Sequence, residues 1–122
     1  MWIDNLTDKT SVICIAVSGE QELQRELQIV IKKLSGKSDY NVIISLANIE
    51  MLTSSSLSGL LILRHSLSRI GRQLILCKVG FPVKGVFRTA GLNSLFHFAT
   101  DMLAAQTMIQ QTKRPEIQKT TP

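Results

Sequence analysis

No stretch of this 122-residue chain comes near the ~20 consecutive apolar residues that a membrane-spanning helix needs. The first ten residues, MWIDNLTDKT, carry acidic side chains and no apolar core, so they do not read as a secretory signal. A cytoplasmic protein without membrane insertion is the expectation. Cysteine and histidine are scarce as well, at two each. Cys14, Cys77, His65 and His97 stand in four unrelated contexts with no zinc-ligand spacing, so no metal and no cofactor are expected. Each cysteine lies inside an apolar run and reads as a buried thiol of a reducing compartment. Aromatic residues make up only 5% of the chain, too few to interleave with the basic residues as base-stacking platforms.

That last shortage bears on the net charge of +5. The closing segment KRPEIQKTTP (113–122) holds Lys113, Arg114 and Lys119 against Glu116, which is +2 of the +5. The other basic residues are scattered, and mild basicity of this kind suits a solvated surface or an acidic partner. Nucleic acid is therefore not an expected partner. Mobility shifts with DNA or RNA should be weak, indifferent to sequence and lost by ~200 mM salt. Tight binding that survives that salt would overturn the reading.

With 44% hydrophobic and 19% charged residues, the chain suits one globular domain with a single core. Residues 11–18, SVICIAVS, form a β-branched run that stops at Gly19. From Glu20 the period becomes helical, with Leu23, Leu27, Val30, Ile31 and Leu34 on one face and Gly36 as the expected C-cap. Residues 42–46, VIISL, are almost continuously apolar, the mark of a strand covered on both faces. A helix is expected from about Ser55 or Ser56 to Ile70, stopped by Gly71, followed by a buried strand over 74–77. Pro82 suits the first turn of a third helix, with Val83, Val86, Phe87 and Ala90 as its stripe and Gly91 past its end. Residues 95–98, LFHF, read as a short last strand, and Asp101 opens a final helix. The domain is thus expected over 1–112, with 113–122 as a polar, disordered tail. Strands alternating with helices make the fold α/β, with a largely parallel sheet.

In such sheets the functional crevice lies outside the carboxyl ends of the strands. The segment TSSSLSGL (53–60) falls at such an end, ahead of an apolar helix. Any one of Thr53, Ser54, Ser55 and Ser56 could cap that helix, a role worth about 1 kcal/mol that needs only one of the four. A helix N-terminus also accommodates an anion, so a phosphoserine there would not break the fold. Nucleophilic catalysis finds less support. Ser55 stands between Ser54 and Ser56 rather than in a G-x-S-x-G elbow, and His65 is about three turns along the same helix from Ser54. GFPVKG (80–85) has neither the Walker nor the G-x-G-x-x-G spacing. An enzyme is not expected.

Residues 42–60, VIISLANIEMLTSSSLSGL, resemble the signature segment of STAS domains, the fold shared by bacterial anti-sigma factor antagonists and the cytoplasmic parts of sulfate transporters. That segment runs from a buried strand through a loop of the form l-x-x-(I/V)-x-(F/M)-(I/L/M)-D-S-S-G-L into an apolar helix. Ile49, Met51 and Leu52 match the loop hydrophobes, Ser54 and Ser55 the paired serines and Leu57 the leucine, without a gap. GRQLILCKV (71–79) and PVKGVFRTAGLNSLFHF (82–98) resemble the family's two downstream segments. Thr53 replaces the motif's Asp, Ser56 its Gly, and Ser45 a frequent strand Asp.

The resemblance implies a single-domain STAS fold, a small mixed and largely parallel sheet with about four helices. It further implies an antagonist that binds an anti-sigma factor/serine kinase in a partner-switching cycle. The phosphorylated serine would correspond to Ser54, with Thr53, Ser55 and Ser56 as neighbouring candidates. The contact surface would comprise Thr53, Ser54, Ser55, Ser56, Leu57, Leu60, Leu61 and Arg64. The altered motif favours an alternative, a STAS subunit with no phosphorylation cycle built into a larger assembly such as a lipid-transporting ABC system, and the single-domain architecture is compatible with both. The residues leave the oligomeric state open.

Overall fold

A computed structural model describes residues 2–5, 11–34 and 40–112; the expected C-cap at Gly36 and the tail over 113–122 lie outside them. Within the described residues the chain forms strands β1 (Trp2–Asn5), β2 (Ser11–Ala16), β3 (Tyr40–Ser45), β4 (Leu74–Cys77) and β5 (His97–Ala99). Helices α1 (Glu20–Leu34), α2 (Ser54–Arg69), α3 (Phe81–Thr89) and α4 (Met102–Thr112) alternate with them. The strands make one sheet in the order β1-β2-β3-β4-β5. β2 to β5 run parallel, and β1 pairs antiparallel with β2, Trp2 opposite Cys14.

The sheet divides the interior into two cores, which explains the unbroken apolar strands. Ile13, Ile15, Val42, Ile44, Leu74 and Leu76 meet Leu23, Leu27 and Val30 of α1, Leu60, Leu63 and Leu67 of α2, and Val83 and Phe87 of α3. The alternate residues Val12, Cys14, Ile43, Ile75 and Cys77 meet Ala105 and Ile109 of α4 on the other face. Both thiols are buried, and burial pushes the Cys77 thiol above its ordinary range. With β3 between their strands, they are roughly 10 Å apart or more, beyond disulfide reach.

Helices α2 and α3 each end with an identifiable stop. Gly71 and Gly91 both sit at φ +74, and the amides of Arg72 and Leu92 reach back to the carbonyls of Leu67 and Phe87, each at 2.8 Å. These are Schellman closures, which need a left-handed residue that only glycine adopts without penalty. Asp101 accepts from the Ala104 amide at 2.8 Å and so caps α4.

Two sequence expectations shift. β1 is an additional edge strand. The last strand is His97–Ala99 rather than 95–98. Leu95 instead closes a turn by donating its amide to the Leu92 carbonyl, and Phe96 turns inward, 95% buried, edge-on to Phe87 with ring centroids 5.1 Å apart.

Candidate functional site at the start of helix α2

The buried strand β3 delivers the chain to one end of the sheet, where Leu46 donates its amide to the Cys77 carbonyl at 2.9 Å. Ile49 folds back into the core and Met51 stays 68% exposed. Thr53 then takes extended geometry (φ −86, ψ 167) and becomes the N-cap, its hydroxyl oxygen accepting from the Ser56 amide at 3.2 Å. Ser54, the first residue of α2, and Ser55, the second, are exposed.

The centre of the site is a residue 33 positions upstream. Glu20, at the start of α1, turns its Oε2 onto the start of α2, where it accepts from the Thr53 amide at 2.8 Å and from the Ser56 hydroxyl at 2.6 Å. The Thr53 hydroxyl donates to the same oxygen. Gln24 adds longer bonds from Nε2, to Glu20 Oε1 at 3.3 Å and to Thr53 Oγ1 at 3.4 Å. The Ser56 hydroxyl, followed by that of Thr53, holds the Glu20 carboxyl below its ordinary pKa, against the opposite effect of burial. A carboxylate therefore does sit at the N-terminus of α2, although position 53 is not acidic. It stands where the helix dipole favours an anion.

The expected site residues separate into distinct groups. Thr53 and Ser56 are engaged by Glu20, and Ser56 is completely buried. Leu60, expected on a contact surface, is also completely buried, because it is one of the three leucines that seat α2 on the sheet. Leu57 and Leu61 are half-buried against the same core. Arg64 is half-buried and donates from Nε to the Leu95 carbonyl, tying α2 to the turn before β5. The exposed residues of α2 are Ser54, Ser55, Ser58, Ile62, His65, Ser68 and Arg69. Sequence reasoning missed Glu20, Gln24 and Ile62. The two hydroxyls standing in place of the motif's Asp and Gly were the available sign of a distant acceptor.

His65 is exposed on α2 and His97 on β5. Among the described residues no group of three or more His, Cys, Asp or Glu could hold a metal ion, and no helix is long and apolar enough to cross a membrane.

The family model for the STAS domain matches residues 7–105. The chain belongs to the STAS family. Solved STAS structures share its fold over nearly their whole length. An anti-sigma-factor antagonist domain protein from Planctomyces limnophilus has 16% identity and a TM-score of 0.68, covering 88% of this chain and 97% of its own. A variant of RsbS from Moorella thermoacetica has 14% identity and a TM-score of 0.72, covering 92% and 96%. The STAS domain of a SulP transporter from Vibrio cholerae has 10% identity and a TM-score of 0.69, covering 89% and 88%. No curated protein matches the sequence. At these identities the likeness is one of fold, and it spans both free-standing regulators and transporter modules.

Proposed function

We propose that this STAS protein is an anti-sigma factor antagonist-like regulator of a bacterial cytoplasm. In its unphosphorylated form it binds an anti-sigma factor that is also a serine kinase, and so releases a sigma factor. Phosphorylation of Ser54 by that kinase expels it, and a phosphatase restores it. The observation that carries this reading is the exposed Ser54 hydroxyl on the first residue of α2, beside two hydroxyls already bonded to Glu20. Ser55 is exposed as well. A phosphoryl group on either would add about −1.5 to −2 charges at the contact surface.

A second reading is favoured by the Glu20 carboxylate itself. It already occupies the start of α2, so a phosphate there would meet a like charge. This suits a STAS subunit that is never phosphorylated and works within a larger assembly, such as a lipid-transporting ABC system. Affinity capture from the native cell with mass spectrometry, including the phosphorylation state of residues 53–56, separates the two. A kinase partner with phosphate on Ser54 is the expected result. An ATPase or permease partner with an unmodified loop would establish the second reading.

A further inference from the structure

Scattered as they look along the chain, the basic residues include one long run with no opposing charge. No Asp or Glu occurs from Met51 to Thr100, a span that holds Arg64, Arg69, Arg72, Lys78, Lys84 and Arg88. The span supplies α2, β4, α3 and β5, and so builds the β5 side of the molecule. The carboxylates that bound it, Glu50 and Asp101, stand in loops. Asp101 caps α4, which packs on the face of the sheet opposite to α3.

α3 brings part of this charge to one outward face. Val83 and Phe87 turn into the core, which leaves Phe81, Lys84, Gly85 and Arg88, spaced i, i+3, i+4 and i+7, on the other side. Phe81 is 81% exposed, the highest value among the exposed large hydrophobic residues described. A Cβ on Gly85 would meet nothing within 4 Å, so the middle of this face is uncovered. Lys84 and Arg88 are exposed. The Lys84 ammonium lies 5.2 Å from the centroid of the Phe98 ring, a neutral partner that leaves its charge uncancelled.

The face is the convex side of a helix roughly 14 Å long. The neighbouring cavity of about 340 Å³ takes in Lys84 but neither Phe81 nor Arg88, so it does not run along the face as a seat for a peptide. A stable protein contact needs about 800 Å² per partner, more than so short a strip provides. A single ring at the tip of a helix also stacks no run of bases. An aromatic tip among cations, with no carboxylate on the helix, matches an anionic bilayer. We infer that the α3 face docks the protein peripherally on an anionic lipid surface, with Phe81 at headgroup level and Lys84 and Arg88 on the lipid phosphates. No segment spans the bilayer. None of residues 53–56 takes part, so the inference goes beyond both readings of the serine cluster and is tested apart from them.

The test is co-sedimentation of the full chain with vesicles of phosphatidylcholine alone and of phosphatidylcholine with about 30% phosphatidylglycerol. The anionic vesicles should bind at least about tenfold more tightly than the neutral ones and lose the protein by about 0.5 M salt. Lys84→Gln and Arg88→Gln should each weaken that binding about fivefold. Phe81→Ser should weaken it by at least about fivefold. Lys33→Gln removes the same charge from an exposed position on α1 and should change binding less than about twofold. All four side chains are exposed, so thermal melting should stay unchanged. No binding to anionic vesicles, equal binding to both kinds, indifference to the α3 substitutions, or an equal loss on Lys33→Gln would overturn the inference. Amide NMR shifts over residues 81–88 with soluble polyglutamate, while the vesicles stay unbound, would overturn it in favour of an acidic protein partner.

Discussion

Glu20→Ala is expected to lower the stability of the protein by about 2 kcal/mol, a fall in Tm on the order of 10 °C for a domain of this size. The cause lies in α2. With the carboxylate gone, the Ser56 hydroxyl, completely buried in the wild type, loses its acceptor, a loss that costs about 1–3 kcal/mol. The start of α2 also loses its favourable negative charge, worth about 0.3–1 kcal/mol. Glu20 is partly exposed, so water screens its own electrostatic share and the buried Ser56 dominates. Glu20→Gln keeps an acceptor oxygen and should cost about half as much. Its pH dependence isolates the charge. The folded protein holds the Glu20 carboxyl below its ordinary value of 4.5, the Ser56 hydroxyl being the main cause, so the folded state binds this proton less tightly than the unfolded chain does. The contribution is full above that ordinary value and disappears as pH falls through the lower, folded one. The stability gap between wild type and Glu20→Gln should thus be constant near neutrality and close in acid, measured by urea unfolding at stepped pH. Glu22 is lowered likewise, through Ser18, but it is common to both proteins and cancels in the difference. A gap that does not change with pH would show that Glu20 acts only as a neutral acceptor.

The elements legible in the sequence are those whose residues satisfy both local and tertiary demands. VIISL and LILC had to be strands between two covered faces, because no helix of that length buries every side chain. Gly71, Gly91 and Asp101 announce helix ends through backbone chemistry that requires no knowledge of neighbours. β1 was hidden because it has only four residues, two of which, Asp4 and Asn5, disfavour strands; its pairing with β2 decides it. Leu95 and Phe96 looked extended because apolarity marks burial as readily as it marks a strand. The serine cluster was visible as a helix start, and the alternation of strands and helices located it at a strand's carboxyl end. What local pattern could not supply was Glu20, brought in across 33 residues by the packing of α1 on α2. Leu60 likewise matched a contact surface by position, and only its angular place among Leu63 and Leu67 turns it inward.

Ser54→Asp is expected to leave thermal stability nearly unchanged and to weaken binding of the cognate anti-sigma factor/kinase at least about 30-fold, or 2 kcal/mol. The two halves have separate causes. Ser54 is exposed, its hydroxyl is not needed for the cap that Thr53 provides, and an acid in the first turn of a helix is tolerated. At an interface the same carboxylate would be desolvated without a partner, and Glu20 adds a like charge nearby. Ser54→Ala should retain binding and abolish phosphorylation by that kinase in vitro. Combining Ser54→Asp with Glu20→Gln should recover part of the lost affinity, because one of the two neighbouring negative charges is removed, whereas simple steric exclusion by Asp would not respond. Phosphate still incorporated into the Ser54→Ala protein would move the acceptor to Ser55, since Thr53 and Ser56 give up their bonds to Glu20 only at a cost in stability. If no cellular kinase modifies the wild type and Ser54→Asp binds its partner normally, the cluster is a helix cap joined to α1 by Glu20. The constitutive-subunit reading then takes the place of partner switching.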